Sequence, residues 1–333
     1  MQVKDIDEGD LIDRFVHFLP VGPRTIIGTG DDCAVVAAPE GHVIVSTDIL
    51  VENSHFSRLW SHPYEIGERA AAQNLADIAA MGGKPSSVVL GITVSPEEKL
   101  EWLTELARGF GSRVADAGAG VDGGDLSSGS QVMLAVTVLG WCDGTPITRS
   151  GAQPGDIIAI AGTLGRSGAG LDLLQSGCID PSARTPEELG DLYEAVSTYR
   201  APRPPLHAGP KALNSGVHAM MDISDGLALD GKRMAASSTI VIDIDRDSLR
   251  ADEEALAAAS AVTGTPAMKW IVSSGEDHGM LAAFPPHSTL PEDFRIIGYA
   301  RSVEGGESPG IYIDGNEIHG GWDHFHTTPE EEQ

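Results

Sequence analysis

The sequence predicts a two-lobed protein of the mixed α/β or α+β class, and three observations carry that reading. The chain has 333 residues, long for one domain and suited to two. β-branched runs alternate with Ala-rich or amphipathic helical stretches through both halves. Turn chemistry at Gly151-Ala152-Gln153-Pro154-Gly155-Asp156 separates them. The boundary is therefore placed near residue 145, giving an N-terminal domain of 1–145 and a C-terminal domain of 146–333.

In the first half, Asp10–Phe18 has helical spacing, with Leu11, Phe15 and Phe18 on one face. The loop Gly28-Thr29-Gly30-Asp31-Asp32 follows. Val43–Asp48 reads as a buried strand ending in polar residues. Pro63–Met81 reads as a long Ala-rich helix stopped by Gly82-Gly83. Ser87–Val94 is a β-branched strand. Ser95-Pro96-Glu97-Glu98 is a helix start, with a Ser cap and Pro in the first turn, and its helix runs to about Ala117. Val132–Leu139 is a further strand. In the second half Ile157–Ala161 and Ile240–Ile244 are strands, and Gly168–Leu174, Pro186–Thr198 and Glu253–Ala261 are helical. Pro202, Pro204 and Pro205 mark a loop, and Thr327–Gln333 is an acidic tail.

Composition narrows the function. Hydrophobic residues make up 41% and charged residues 21%, enough to bury a sizeable core. The net charge of −27 repels polyanions, which argues against nucleic acid and anionic membranes as partners. A phosphorylated substrate would need added positive charge, and divalent metal is the obvious source. Three scattered cysteines, Cys33, Cys142 and Cys178, argue against a disulfide framework and a structural zinc site. Met1–Asp10 is acidic with no apolar run, unlike a signal peptide. The most apolar stretches, such as Ser86–Ser95 and Ile157–Gly165, are too short to span a bilayer. A soluble, cytoplasmic protein is expected.

Common nucleotide motifs are missing. Gly82-Gly83-Lys84 is followed by Pro85, which spoils a phosphate cradle, and Gly28-x-Gly30 lacks the third glycine of a dinucleotide fingerprint. Gly165-Arg166-Ser167-Gly168-Ala169 falls short of a nucleophile elbow. Asp243-x-Asp245-x-Asp247 imitates a calcium loop, but Ser248 stands where glycine is needed; a solvated strand end is expected there.

The informative pattern lies in the aspartates. Five segments place Asp at the end of an apolar stretch beside a small residue: Gly30-Asp31-Asp32, Ser46-Thr47-Asp48, Asn74-Leu75-Ala76-Asp77, Gly123-Gly124-Asp125 and Asp222-Ile223-Ser224-Asp225-Gly226. Any one alone is ordinary turn or cap chemistry. Asp77, however, sits in a small, apolar stretch and must meet water, a partner or a metal. Unit charges 4 Å apart repel by about 4 kcal/mol at an effective dielectric near 20, so convergence of several carboxylates requires cations. Oxygen-only ligands select hard ions such as Mg²⁺. A phosphate site holding several Mg²⁺ ions is the favoured reading, with Gly123-Gly124 offering backbone N–H groups and Arg149 a cation.

Eight stretches, in order from residue 28 to residue 325, resemble the thiamine-monophosphate kinase family, within the aminoimidazole ribonucleotide synthetase-like ATP enzymes. They are Gly28–Ala34; Ser46–Glu52 with His55-Phe56; Asn74–Gly82; Gly123-Gly124-Asp125; Thr148–Ala152; Asp222–Leu227; Ser274-Gly275-Glu276-Asp277; and Gly321–Phe325. The resemblance implies that family's two-domain fold, with an N-terminal domain that pairs with its twin in a homodimer and a C-terminal α/β lobe. It implies Mg²⁺-assisted in-line transfer of phosphate from ATP to thiamine monophosphate. Asp32, Ser46, Thr47, Asp48, Asp77, Asp125, Asp222 and Asp225 would hold Mg²⁺. Gly124, Asp125, Arg149 and Ser224 would contact ATP, and His55, Glu276 and Trp322 would contact thiamine phosphate. Asp77, Asp125 and Arg149 are the implied catalytic set.

The chain departs from the family where Tyr-Glu-Leu often follows Gly-Glu-Asp, for His278-Gly279-Met280 stand there instead. Ser274 occupies a common glycine position, and Asp122 a usually apolar one. An aminoimidazole ribonucleotide synthetase-like enzyme and a non-catalytic nucleotide-binding protein are the alternatives. His55-Phe56 and Gly321-Trp322 favour the thiamine enzyme over the first, and the full set of acids disfavours the second.

Overall fold

A helix that is buried almost all round needs a well-fixed start, and α1 (Pro63–Ala80) has one. The His62 ring accepts from the Tyr64 N–H, Glu65 accepts from the His62 N–H at 2.6 Å, and Pro63 occupies the first turn. It packs on α2 (Leu100–Asp116) so closely that a Cβ at Gly109 would lie 1.9 Å from the Tyr64 carbonyl oxygen. Ile66, Leu75 and Ile78 of α1 join Leu103, Leu106 and Phe110 of α2 in one core. In the computed structural model, residues 17–27, 35–38 and 43–322 are described. The expected Asp10–Phe18 helix falls largely outside them, as do the Gly28–Asp32 loop and the acidic tail.

The two helices cover one face of a four-stranded sheet. After the short antiparallel ribbon β1 (Thr25–Ile27) and β2 (Val35–Val36) come β3 (Ile44–Val51), β4 (Lys84–Val94), β5 (Gly120–Ser128) and β6 (Met133–Trp141), in the order β3-β6-β4-β5. Only β4 and β5 run parallel, and α2 is the crossover that such a pair requires. Leu134, Val136 and Val138 of β6 and Leu90 of β4 face the helical core. On the opposite face Val45 and Ile49 stay 63% and 51% exposed, and Val89 is exposed as well.

The second sheet has the order β13-β12-β9-β11-β7-β10-β8. Its strands are β7 (Ile157–Ala161), β8 (Ala219–Asp222), β9 (Val241–Ile244), β10 (Met280–Phe284), β11 (Phe294–Arg301), β12 (Gly310–Ile313) and β13 (Asn316–Glu317). Every residue of β7, β8 and β10 is buried, so these strands read as unbroken apolar runs rather than alternating ones. Its helices include α3 (Arg166–Gln175), α4 (Pro186–Leu189), α5 (Tyr193–Arg200), α6 (Ala208–Asn214), α7 (Leu227–Ser238), α8 (Arg250–Ala255), α9 (Ala257–Thr263) and α10 (Ala267–Ser273).

Chain contacts separate two units. One holds the described residues through Pro146 together with Arg200–Pro210, and the other holds Ile147–Tyr199 and the described residues from Lys211 on. The segment Arg200–Pro210 thus returns to the first unit. Arg200 is buried and donates from Nε to the Trp60 carbonyl at 2.7 Å, and Leu206 packs on the first-unit core.

Several elements differ from expectation. Ser95 starts a turn, not a helix: its hydroxyl accepts from the Glu97 N–H, its carbonyl accepts from the Glu98 N–H, and α2 begins only at Leu100. Gly120–Ser128 is a strand although its Gly, Ser and Asp content hides it. The helix expected over Pro186–Thr198 is broken at Gly190, where φ is 54° and ψ −131°. That expected over Glu253–Ala261 is broken at Leu256, where ψ is 0°.

Candidate active site

In the first unit, β3 aims Ser46 and Asp48 toward α1, because strand side chains alternate and Leu50 on the same side is buried in the helical core. The Ser46 hydroxyl donates to Asp77 Oδ2 at 2.5 Å. The Asp48 N–H donates to Asn74 Oδ1 at 3.0 Å, and Asn74 donates in turn to the Ala70 carbonyl one turn back. Strand β3 and the carboxylate-bearing turn of α1 are thereby locked together. Thr47 points the other way: its hydroxyl donates to the Val136 carbonyl and accepts from Thr137. Asp125 pairs with Gly91, which pairs with Ala135, placing Asp125 on the Thr47 face rather than that of Ser46 and Asp48. Gly124 and Asp125 lie on the sheet-edge strand β5. His55 closes a turn, its ring Nδ1 accepting from the Val51 N–H at 2.9 Å. Asp32 lies outside the described residues.

In the second unit two motif segments run alongside each other. The Ile223 N–H donates to the Gly279 carbonyl at 2.8 Å and the Glu276 N–H to the Ser224 carbonyl at 3.0 Å, continuing the β8–β10 ladder past the strand ends. The segments approach so closely that a Cβ at Gly275 would lie 1.8 Å from the Ser224 carbonyl oxygen. The Trp322 N–H donates to the Asp225 carbonyl at 2.9 Å, and the Thr148 carbonyl accepts from the Met220 N–H of β8. Asp222, Ser224, Asp225, Glu276 and Trp322 are therefore gathered around the C-terminal end of β8, while the Arg149 loop runs beside its N-terminal end, where a Cβ at Gly151 would lie 2.7 Å from the His218 carbonyl oxygen. The Asp243–Asp247 run behaves as a strand end, with Asp245 accepting from the Asp247 N–H.

Four supporting residues were not among the expected site residues. Asp230, in the first turn of α7, accepts from the Asp225 N–H at 2.8 Å and pairs with Arg233, which also pairs with Asp225 at 2.6 Å. Burial pushes the Asp230 carboxyl up to about 6; the Asp225 N–H works against the rise and the nearby charges of Asp225 and Asp222 add to it. Asp277 accepts from Thr163 Oγ1 and from the Arg166 and Ser167 N–H groups at the start of α3; burial raises its carboxyl against those bonds. Ser238, at the end of α7, takes the Gly151 and Ala152 N–H groups and reaches the Arg149 carbonyl. Asn74 has the role already described. For Asn74 and Asp277 a polar residue inside an apolar or motif stretch was a usable sign, whereas Ser238 offered none.

The donors on both units are oxygen atoms, the set that hard divalent cations take. Among the described residues no group of three or more His, Cys, Asp or Glu side chains stands close enough to hold a metal ion.

Comparison with known proteins gives the family. Residues 30–142 match the AIR synthase related protein, N-terminal domain family. A thiamine-monophosphate kinase of Mycobacterium tuberculosis is 37% identical, with 97% of this chain and 93% of that protein covered. One from Corynebacterium glutamicum is 40% identical over 81% of this chain and 80% of its own length. The solved structure of AaThiL complexed with AMPPCP and TMP superposes with a TM-score of 0.77 at 26% identity, covering 98% of this chain and 99% of that one. Both units take part in these alignments, so the likeness extends well beyond the N-terminal half, and the chain belongs to the thiamine-monophosphate kinase family.

Proposed function

We propose that this protein transfers a phosphoryl group from ATP directly to thiamine monophosphate, giving thiamine diphosphate and ADP. The observation that carries this reading is the gathering of Asp222, Ser224, Asp225, Glu276 and Trp322 around one strand end, in a chain aligned nearly throughout with thiamine-monophosphate kinases.

The acceptor is a phosphate oxygen that is already anionic at neutral pH, so the chain need not supply a strong base. The barrier is the approach of two anions, and positioning with charge compensation is what the residues must provide. Arg149 would meet the ATP phosphates, with its loop pinned by Ser238. The Gly124 main chain, Asp125 and Ser224 would complete the nucleotide contacts. Glu276 would face the cationic thiazolium or the aminopyrimidine, Trp322 would stack on a ring, and His55 would contact thiamine phosphate. Asp32, Ser46, Thr47, Asp48, Asp77, Asp125, Asp222 and Asp225 would hold Mg²⁺, with Asp77, Asp125 and Arg149 as the catalytic set. Mg²⁺, when bound, supplies charge neutralisation on the phosphates.

The first unit is assigned to ATP, Mg²⁺ and dimerisation and the second to completing the substrate site, with domains of 1–145 and 146–333. The uncovered sheet face with exposed Val45, Ile49 and Val89 supports a homodimer. Among the described residues no helix is long and apolar enough to cross a membrane, and a cytoplasmic location is proposed.

The test is one assay: purified protein, ATP, Mg²⁺ and thiamine monophosphate, with thiamine and aminoimidazole precursors as controls. Thiamine diphosphate should form, and EDTA should stop it until Mg²⁺ is restored. Phosphorylation of a control substrate in its place would overturn the reading.

A further inference from the structure

His278 stands where this chain departs from the family pattern, and its surroundings give it a task. It is 3% exposed and lies between two carboxylates on converging segments. Its Nδ1 is 3.2 Å from Asp222 Oδ2, and a carboxylate oxygen accepts, so Nδ1 donates. Its Nε2 is 3.9 Å from Glu276 Oε2, within ion-pair range but beyond a hydrogen bond. The backbone fixes the ring in this place. Residue 278 has φ 54°, Glu276 has φ 69°, and the Gly279 carbonyl is tied to the Ile223 N–H beside Asp222. Asp222 lies on the other segment, so that contact depends on the lacing of the two, whereas Glu276 lies two residues before His278 on its own segment.

We propose that His278 is a positioning residue that holds Asp222 and Glu276 in a fixed relation, coupling cation binding at the first to thiamine-phosphate binding at the second. With Oδ2 engaged by the imidazole, Asp222 presents Oδ1 outward, in the way hydrogen-bonded partners orient metal-binding carboxylates generally. The other edge of the same ring limits where the Glu276 carboxylate can lie. The inference rests on the roles proposed above for Asp222 and Glu276.

Two variants of the full chain separate the two edges of the ring. His278→Phe keeps an aromatic ring and removes both nitrogens. His278→Asn keeps a donor near Nδ1, tolerates a left-handed backbone and removes the Nε2 side. The first readout is Mn²⁺ binding in the presence of AMPPCP, followed by electron paramagnetic resonance; it needs no turnover. His278→Phe should weaken it about tenfold, the lower end of the usual effect of losing an outer-shell partner, and His278→Asn should stay well inside that loss. The second readout is KM for thiamine monophosphate, which both variants should raise. Thermal unfolding identifies any general loss of structure. Native Mn²⁺ binding in His278→Phe, or equal metal loss in both folded variants, overturns the proposal. If the native chain bound Mn²⁺ with this His278 dependence yet made no thiamine diphosphate, the kinase reading would fall and the hold of His278 on Asp222 would stand.

Discussion

Asp77 occupies a turn of α1 otherwise built from Ala, Leu and Ile, and the Ser46 hydroxyl is donated to it across 2.5 Å. A carboxylate held there beside Asp48 has reason to persist only if its charge is used. Asp77→Asn keeps the shape and gives up the charge. Its turnover should fall by about a hundredfold or more, the scale of losing one electrostatic contact to a transition state. Far-UV circular dichroism and melting temperature should stay native, and native turnover would remove Asp77 from the catalytic set. Ser238 makes a different prediction, because its hydroxyl bonds to the main chain of the Arg149 loop. Ser238→Ala should raise KM for ATP several-fold with little change in kcat, and Ser238→Thr should restore it. An equal fall in kcat for both would show that the loop is held by something else. The motif acids were legible in the sequence because their side-chain type and small neighbours are the signal. Ser238 and Asp230 were not, because each is defined by the groups it meets, which for Ser238 lie 86 to 89 positions away.

At the scale of elements, α1 and α2 are held by close backbone approach and by a buried ion pair. Arg113 of α2 lies 3.0 Å from Glu68 of α1, with side-chain exposures of 7% and 11%, and Arg203 stands 3.7 Å from the same carboxylate. Burial raises the Glu68 carboxyl and lowers the Arg113 guanidinium, each opposed by the partner's charge. Glu68→Ala would leave Arg113 buried without its partner, so the first unit should lose about 3 kcal/mol of unfolding free energy, read from urea titration. A loss below about 1 kcal/mol would mean that water or Arg203 rearrangement compensates. The helix over 63–80 was readable because cap, Pro and Ala content agree with its burial. The helix expected from Ser95 begins only at Leu100, because its capping pattern closes a local turn instead and Glu98 is taken by Arg58 at 2.5 Å. Strand β5 escaped notice because pairing with β4, rather than its own propensity, makes it a strand.

For the whole molecule, a net charge of −27 sets a condition on self-association. Two copies repel at long range, so they can meet only through a surface nearly free of charge and long enough in apolar area to offset that repulsion. The outward face of the first sheet comes close to the condition: Val45, Thr47, Ile49, Val89 and Thr137 are neutral, Val45 and Ile49 are 63% and 51% exposed, and Asp125 adds a charge at the edge strand. Sedimentation of the native chain should therefore give a dimer, and raising salt should tighten it, since screening weakens the long-range repulsion while leaving apolar burial intact. Ile49→Glu should give a monomer with an unchanged melting profile for the isolated protomer, because a side chain 51% exposed adds little to protomer stability but would face its own copy across a two-fold interface. A native monomer at micromolar concentration, or an Ile49→Glu dimer as tight as the native one, would move the interface elsewhere. If the monomeric variant also lost activity while Asp77 and Asp222 still bound Mn²⁺, the site would need its second copy for catalysis rather than for holding the cation.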